Sequence, residues 1–245
     1  MKYEITNEKK RGGPYMHGLD ARDAVVELFR IKALKDFGKV KAGDLGGWIE
    51  GESNLSQEGK AWVSGDAQVF GNAWVSGDAW VSGGAQVFGD ARVSGDAEIS
   101  EYAEVSGDAQ VDGKAWVYGD AKVYGKALVF GKAMVFGNAQ VFGKAWVYGD
   151  AQVYRKAWVS GDAQVSGKAW VYGDAKVYGN AKVFGNAQVY GDAQVSEDAE
   201  VSEDARVSGD AWVSGDAQVF GDAEISEYAE AYRKAGVSGK AWVSD

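Results

Sequence analysis

From Ala61 onward the sequence repeats one phrase of six residues, a hexad, in which small apolar residues alternate with variable ones. Alanine occupies every sixth position from Ala61 to Ala241, 31 times without an insertion or deletion. Valine stands two residues after each alanine and is replaced only by Ile99, Ile225 and Ala231. This alternation has the two-residue period of a β-strand, whose successive side chains point to opposite faces. The glycine that follows, with Asp, Asn or Lys after it, indicates a turn, because glycine adopts positive φ at no steric cost.

The same spacing excludes a helix and disfavours antiparallel hairpins. Valines at hexad spacing advance by about 600° around a helix, so they would not line one face of it. A parallel β-helix satisfies the pattern, since each hexad forms one side of a coil and identical hexads stack on the next coil. The sequence therefore predicts an all-β solenoid over residues 61–245, preceded by a capping segment over residues 1–60.

The capping segment differs from the repeats in composition and is expected to cover the first coil. An uncovered coil exposes unpaired strand edges and an open apolar end, which promote aggregation. Residues 25–37 are predicted to form one or two strands, entered by a short helix from Asp20. The apolar side chains expected to close the end are Val25, Val26, Leu28, Phe29, Ile31, Leu34, Phe37, Leu45, Trp48, Ile49 and Leu55.

Composition and charge exclude several classes of function. The net charge of −10 and the pI near 4.7 give no support to nonspecific binding of nucleic acid or anionic membranes. The chain has no cysteine, so disulfides and thiolate metal sites are excluded. No apolar run approaches the ~18 residues of a membrane span, and no signal-peptide core precedes the repeats. We expect a cytoplasmic protein that does not bind membranes.

The stretch ALKDFGKVKAGDLGG at 33–47, followed by WIE and ESNLSQ, resembles the N-terminal region of the YdcK-like hexapeptide-repeat proteins. These occur in enterobacterial and prophage sequences and are often labelled acyltransferases. The hexads are similar to those of left-handed parallel β-helices, in which three hexapeptides make one triangular coil. The resemblance thus implies a left-handed solenoid of about ten coils, roughly 50 Å long at ~4.8 Å per coil. It also implies an acyl-CoA-dependent transferase as one candidate function.

Candidate catalytic chemistry is sparse. General base catalysis needs a group that titrates near neutrality, and His17 in the capping segment is the only histidine. His17 is a weak candidate, with an ordinary loop residue as the alternative, because the resemblance implies a histidine base inside the β-helix and a protruding loop. A catalytic zinc site needs three protein ligands, usually including histidine, and the chain has one histidine. We therefore expect no metal and no cofactor, and we interpret the turn aspartates as turn formers.

The outward positions suggest a binding face. With three hexads per coil, equivalent residues of successive coils stack, and the position after each valine then forms three columns. One column contains five consecutive aromatic residues, flanked by three large apolar residues from the position between alanine and valine. The five are Tyr118, Phe136, Tyr154, Tyr172 and Tyr190, and the three are Trp116, Met134 and Trp170. An exposed apolar strip usually marks an interface or ligand groove, whereas stacked rings also stabilise a parallel sheet.

Three interpretations of this strip remain open: stacking alone, self-association, and recognition of an external protein or glycan. The repeated blocks 97–104 and 223–230 show that the array grew by copying, which suits a rod better than a catalytic centre. The prediction is a structural or interaction module that forms a homo-oligomer, either a dimer or a trimer. An acyltransferase-like enzyme and a glycan-binding solenoid are the alternatives.

Overall fold

The protein is a parallel β-solenoid with three faces, described by a computed structural model over residues 1–13 and 25–244. Each repeat strand pairs in parallel with the strand three hexads further along the chain, as Trp116 with Met134 and Val117 with Val135. Three hexads therefore make one coil. One sheet contains 11 strands, so the solenoid has about 11 coils, close to the ten expected from the resemblance. The predicted all-β solenoid is confirmed, and its left-handed winding stays a prediction.

The first face is the 11-stranded sheet. Its strands are β4 Trp62–Val63, β7 Trp80–Val81, β10 Glu98–Ile99, β13 Trp116–Val117, β16 Met134–Gly137, β19 Gln152–Arg155, β22 Trp170–Val171, β25 Gln188–Val189, β28 Arg206–Val207, β31 Glu224–Ile225 and β34 Trp242–Val243.

The second face is the 13-stranded sheet, which begins with the three strands of the capping segment. Its strands are β1 Tyr3–Gly12, β2 Val26–Ala33, β3 Leu45–Ile49, β5 Gln68–Val69, β8 Gln86–Val87, β11 Glu104–Val105, β14 Lys122–Val123, β17 Gln140–Val141, β20 Trp158–Val159, β23 Lys176–Val177, β26 Gln194–Val195, β29 Trp212–Val213 and β32 Glu230–Ala231.

The third face is the 10-stranded sheet. Its strands are β6 Trp74–Val75, β9 Arg92–Val93, β12 Gln110–Val111, β15 Leu128–Val129, β18 Trp146–Val147, β21 Gln164–Val165, β24 Lys182–Val183, β27 Glu200–Val201, β30 Gln218–Val219 and β33 Gly236–Val237.

The interior is a column of alanine and valine. Every repeat alanine from Ala61 to Ala223, and every Val or Ile from Val63 to Ile225, is 0% exposed. Burial of a valine side chain contributes roughly 1.5–3 kcal/mol, and each coil adds three such side chains. Stability therefore accumulates coil by coil, as in other repeat proteins.

The turns between faces bring glycine main chains into close contact. Gly173 has φ +80°, and a Cβ at this position would lie 2.9 Å from the backbone N and O of Gly191 in the next coil. Six non-glycine residues adopt the same conformation with φ of 59–62°. No two of the six occupy the same turn in successive coils, so each one stacks on glycine. The six are Glu101, Arg155, Glu197, Glu203, Glu227 and Arg233.

The capping strands extend the second face. Strand β1 pairs antiparallel with β2, and β2 pairs antiparallel with β3. Strand β3 then pairs in parallel with β5, through Trp48 with Gln68 and Ile49 with Val69. The parallel ladder thus begins before the first repeat. A short 3-10 helix, Glu52–Asn54, connects this first coil to the bridge between Leu55 and Val75.

Two residues that the pattern did not predict close the end of the solenoid. The hydroxyl of Tyr3 donates a hydrogen bond of 2.8 Å to the Leu55 carbonyl, and its ring packs edge-on against Trp62. The ammonium of Lys2 is buried and donates a hydrogen bond of 2.8 Å to the Ala61 carbonyl. Burial lowers the pKa of Lys2 to about 8.

Part of the predicted capping core is wrong. Leu28, Ile31, Ile49 and Leu55 are buried, but Val25, Leu34 and Leu45 are 57%, 44% and 52% exposed. The exposed residues lie just outside β2 or at the first position of β3, where no strand among the described residues covers them.

The predicted helical entry from Asp20 lies outside the described residues. None of the helices in residues 1–13 and 25–244 is long and apolar enough to cross a membrane.

The close approach of coils at the turns predicts position-dependent effects of adding a methyl group. We expect Gly173→Ala to lower the free energy of unfolding by about 2–3 kcal/mol. The added methyl group would both strain the left-handed backbone at this position and overlap with Gly191. Gly239→Ala is the matched control: it has φ +67° but no atom within 4 Å of the added Cβ, so about 1 kcal/mol is expected. Urea unfolding of both variants checks this, and equal losses would contradict the close approach.

The buried ammonium predicts a rise in stability at alkaline pH. Because the pKa of Lys2 falls from 10.5 to about 8 on folding, the unfolded chain binds more protons between these values. The free energy of unfolding should then increase by up to about 1.4 kcal/mol per pH unit from pH ~8 to ~10. Urea titrations of wild type and Lys2→Met at several pH values test this, since the variant should lack the increase. Parallel profiles for the two proteins would show that Lys2 does not cause it.

Candidate interaction face

Five aromatic side chains on the first face form one continuous stack. Ring centroids lie 4.9 Å apart for Tyr118 and Phe136, 4.8 Å for Phe136 and Tyr154, 4.9 Å for Tyr154 and Tyr172, and 5.0 Å for Tyr172 and Tyr190. The interplanar angles are only 2–5°. The structure therefore brings together all five residues predicted from the spacing, which we call the aromatic stack.

The main-chain ladder positions these rings. Each residue follows the buried valine of its strand, and its ring is held in register by the pairing of that strand with the next coil. The amide of Tyr172, for example, donates to the carbonyl of Val189 in the next coil at 3.0 Å. Parallel strands lie ~4.8 Å apart, which is also a favourable separation for ring stacking. Burial within the stack raises the pKa of Tyr118, Tyr154 and Tyr172. The ring faces are thus largely covered by one another, while the ring edges remain toward solvent.

A second column of apolar residues runs beside the stack. Trp116 and Trp170 are 47% and 40% exposed, and Met134 between them is half-buried. The indole of Trp170 packs edge-on against Tyr154, with centroids 6.5 Å apart at 74°. We call Trp116, Met134 and Trp170 the flanking column. Together with the aromatic stack it makes an apolar strip about five coils long, in which Gln152 interrupts the flanking column between Met134 and Trp170.

The other two faces have shorter stacks. Pairs form between Phe70 and Phe88, Tyr124 and Phe142, and Phe130 and Tyr148. The hydroxyls of Tyr124, Tyr148 and Tyr178 donate to glutamine oxygens in the next coil. By contrast, the four tyrosine hydroxyls of the aromatic stack have no hydrogen-bond partner within residues 1–13 and 25–244. Those hydroxyls are available to an external partner.

Polar grooves, which the sequence did not predict, lie along the second face. One of about 820 Å³ is lined by Trp158 and by charged residues of neighbouring coils. Another of about 780 Å³ lies beside the capping segment and is lined by Lys10, Asp66, Gln68, Glu101 and Tyr102. The ammonium of Lys10 lies 4.5 Å from the Trp48 ring centroid. Because β1 reaches this groove only through tertiary pairing, no local sequence signal could have indicated it.

The candidate catalytic residue His17 lies outside the described residues. In the part of the chain that is described, no group of three or more His, Asp or Glu residues is arranged to hold a metal ion. Turn aspartates instead accept hydrogen bonds from the preceding coil, as Asp198 does from Asn180 at 3.0 Å. These contacts fit the interpretation of the aspartates as turn residues.

Comparison with known proteins gives matches to one family. The YdcK β-solenoid repeat matches residues 67–83 and 85–101. A segment of 62 residues is 37% identical to the protein named "Uncharacterized acetyltransferase YdcK" from Escherichia coli (strain K12). This match covers 25% of the present chain and 18% of that relative, so the chain spans only about a fifth of the relative's length. The chain is thus a three-faced parallel β-solenoid whose hexads at residues 67–101 are similar to the YdcK β-solenoid repeat.

Proposed function

We propose that this protein is a rigid structural module that self-associates through the apolar strip of its first face. The observation that carries the proposal is the five-ring aromatic stack with two exposed tryptophans beside it. Tryptophan and tyrosine are enriched at the buried centres of protein interfaces.

Rigidity supports a structural role. Each described coil is hydrogen-bonded to the next along all three faces, and the interior is filled by fully buried alanine and valine. A solenoid of this kind has no hinge between its described coils to close over a substrate. Its outward columns are held at a constant spacing of ~4.8 Å, which suits a long, flat contact with another molecule.

Internal stacking accounts for only part of the strip. It covers the ring faces, but the indoles of Trp116 and Trp170 remain more than one third exposed. The free hydroxyls along the stack add polar groups at the edge of an apolar surface, a combination typical of interfaces. A second copy would cover both the indoles and the ring edges.

Loss of two rings from the centre of the stack tests this proposal. We expect Tyr154→Ser with Tyr172→Ser to convert the wild-type oligomer into a monomer, because the apolar strip is interrupted at its middle. Sedimentation equilibrium measures the mass of each protein. The matched control is Tyr148→Ser with Tyr178→Ser, which removes two tyrosines from the other faces and should leave the oligomer intact. A wild-type monomer, or equal masses for all three proteins, would refute the proposal.

Acetyl transfer is the second candidate, favoured by the name of the relative. That name belongs to a protein of which the match covers only 18%. The single histidine, His17, lies outside the hexads, so a transferase here would need another general base or a residue supplied from elsewhere.

Binding of acetyl-CoA distinguishes the two functions. The structural proposal predicts no heat of binding in calorimetric titrations at submillimolar concentrations, because it includes no site for acetyl-CoA. Micromolar binding by the wild-type protein, with weaker binding by the His17→Ala variant, would instead support a transferase site that includes His17. Binding unaffected by His17→Ala would also reject the purely structural role, with the site lying elsewhere.

A further inference from the structure

We infer that the partner is a second copy, paired through the first face about a two-fold axis parallel to the solenoid axis. This inference rests on the proposed self-association and adds its geometry. Homodimers are usually isologous, so the same face must be complementary to itself under the two-fold rotation. Among the two-fold rotations that keep the two solenoid axes aligned, two bring one first face against the other.

The two rotations place different residues opposite each other. With the axis along the solenoid, coils of equal level meet, and the two copies run parallel. With the axis along the strands, the copies run antiparallel, and full overlap of the two aromatic stacks makes the coils meet in inverted order about Tyr154. The charged residues at the two edges of the first face distinguish these arrangements.

Each first-face strand lies between two turns. We define the edges of the face by the second residue of each of these turns, which is Lys114 before and Asp120 after Trp116–Val117. The leading edge, just before the strands, consists of Lys60, Asp78, Asp96, Lys114, Lys132, Asp150, Lys168, Asn186, Asp204, Asp222 and Lys240. The trailing edge, just after the strands, consists of Asp66, Gly84, Tyr102, Asp120, Asn138, Lys156, Asp174, Asp192 and Asp210, followed by Tyr228.

In the parallel arrangement the leading edge of one copy meets the trailing edge of the other at the same coil level. Four levels then oppose charges of opposite sign, each occurring twice by symmetry. The pairs are Lys60 with Asp66, Lys114 with Asp120, Asp150 with Lys156, and Lys168 with Asp174 of the partner subunit. Only one level, Asp204 with Asp210, opposes like charges.

In the antiparallel arrangement each edge meets itself, and like charges dominate. The pairs of like charge would include Lys60 with Lys240, Asp78 with Asp222, Asp96 with Asp204, Lys132 with Lys168, and Asp120 with Asp192. One favourable pair, Glu98 with Arg206, would form between the outward residues that stand between alanine and valine. Juxtaposed like charges reject a wrong partner orientation, so the edges select the parallel arrangement.

The centre of the face also fits the parallel arrangement. The flanking column of one copy would meet the aromatic stack of the other at three levels, and Gln152 would oppose the partner's Tyr154. Trp116 would then oppose the partner's Tyr118, and Met134 would oppose the partner's Phe136. Trp170 would likewise oppose the partner's Tyr172. These contacts cover the indoles that are exposed in the single chain.

The area of the face explains why the edges matter. The ten intervals of ~4.8 Å between its 11 strands and about four extended residues at ~3.3 Å give a surface of roughly 48 by 13 Å, or about 600 Å² for each copy. A standard interface buries about 800 Å² per partner. The flat face alone is therefore small, and contacts between the edges complete it. Lys114 and Lys168 make no ion pair within the described residues of their own chain, so both are available for this.

Charge reversal at these two lysines tests the geometry. The double variant Lys114→Asp with Lys168→Asp should raise the dimer dissociation constant at least about tenfold, because each new carboxylate faces an aspartate of the partner subunit. Adding Asp120→Lys and Asp174→Lys to the same chain should restore association, since opposite charges face each other again. Sedimentation equilibrium measures dissociation, and circular dichroism verifies that each variant is folded.

The outcomes separate this inference from the proposed function. In an antiparallel dimer Lys168→Asp would face the partner's Lys132, so the double variant would associate as tightly as wild type or more tightly. That result, or failure of the fourfold variant to recover, would overturn the parallel geometry while leaving self-association intact. A wild-type protein that is monomeric throughout would refute the proposed function itself.

Discussion

Main-chain hydrogen bonding between coils, at a constant register of three hexads, is the constraint on which the rest of the structure depends. The amide of each outward residue donates to a carbonyl in the next coil, as Trp170 donates to Ala187 at 2.9 Å. This register makes every position in the hexad a column parallel to the solenoid axis. The alanine and valine columns fill the interior, and the columns between them cover the outside.

The same register imposes a steric condition at the turns and gives order to the surface. Coils are so close that turn glycines contact each other's backbone, and a side chain there is tolerated only against glycine. Outside, rings are spaced 4.8–5.0 Å apart and stack face to face. Turn carboxylates likewise stack on the Lys or Asn of the preceding coil, as Asp78 on Lys60 at 2.7 Å. A copied hexad therefore reproduces the whole pattern, and only the outward residues are free to vary.

This division of roles leaves only part of each hexad for function. Function must reside in the outward columns or the capping segment, because the inward positions are all used for packing. The first face differs from the other two in the length of its aromatic stack, whose tyrosine hydroxyls have no hydrogen-bond partner within the described residues. On the second and third faces, aromatic residues are more often engaged by glutamine or tryptophan within the chain, as Phe142 is by Trp158.

The hexad pattern is enough to predict the strands, the turns, the interior and the columns of the aromatic stack. It could do so because every repeat has the same surroundings, so that a local period is also a global one. The capping segment has no such period. The exposure of Leu34 and Leu45, the burial of Lys2 and the packing of Tyr3 on Trp62 were decided only by the tertiary structure. Lys2 and Tyr3 meet partners more than 50 positions away through strand pairing, and no local spacing encodes such contacts.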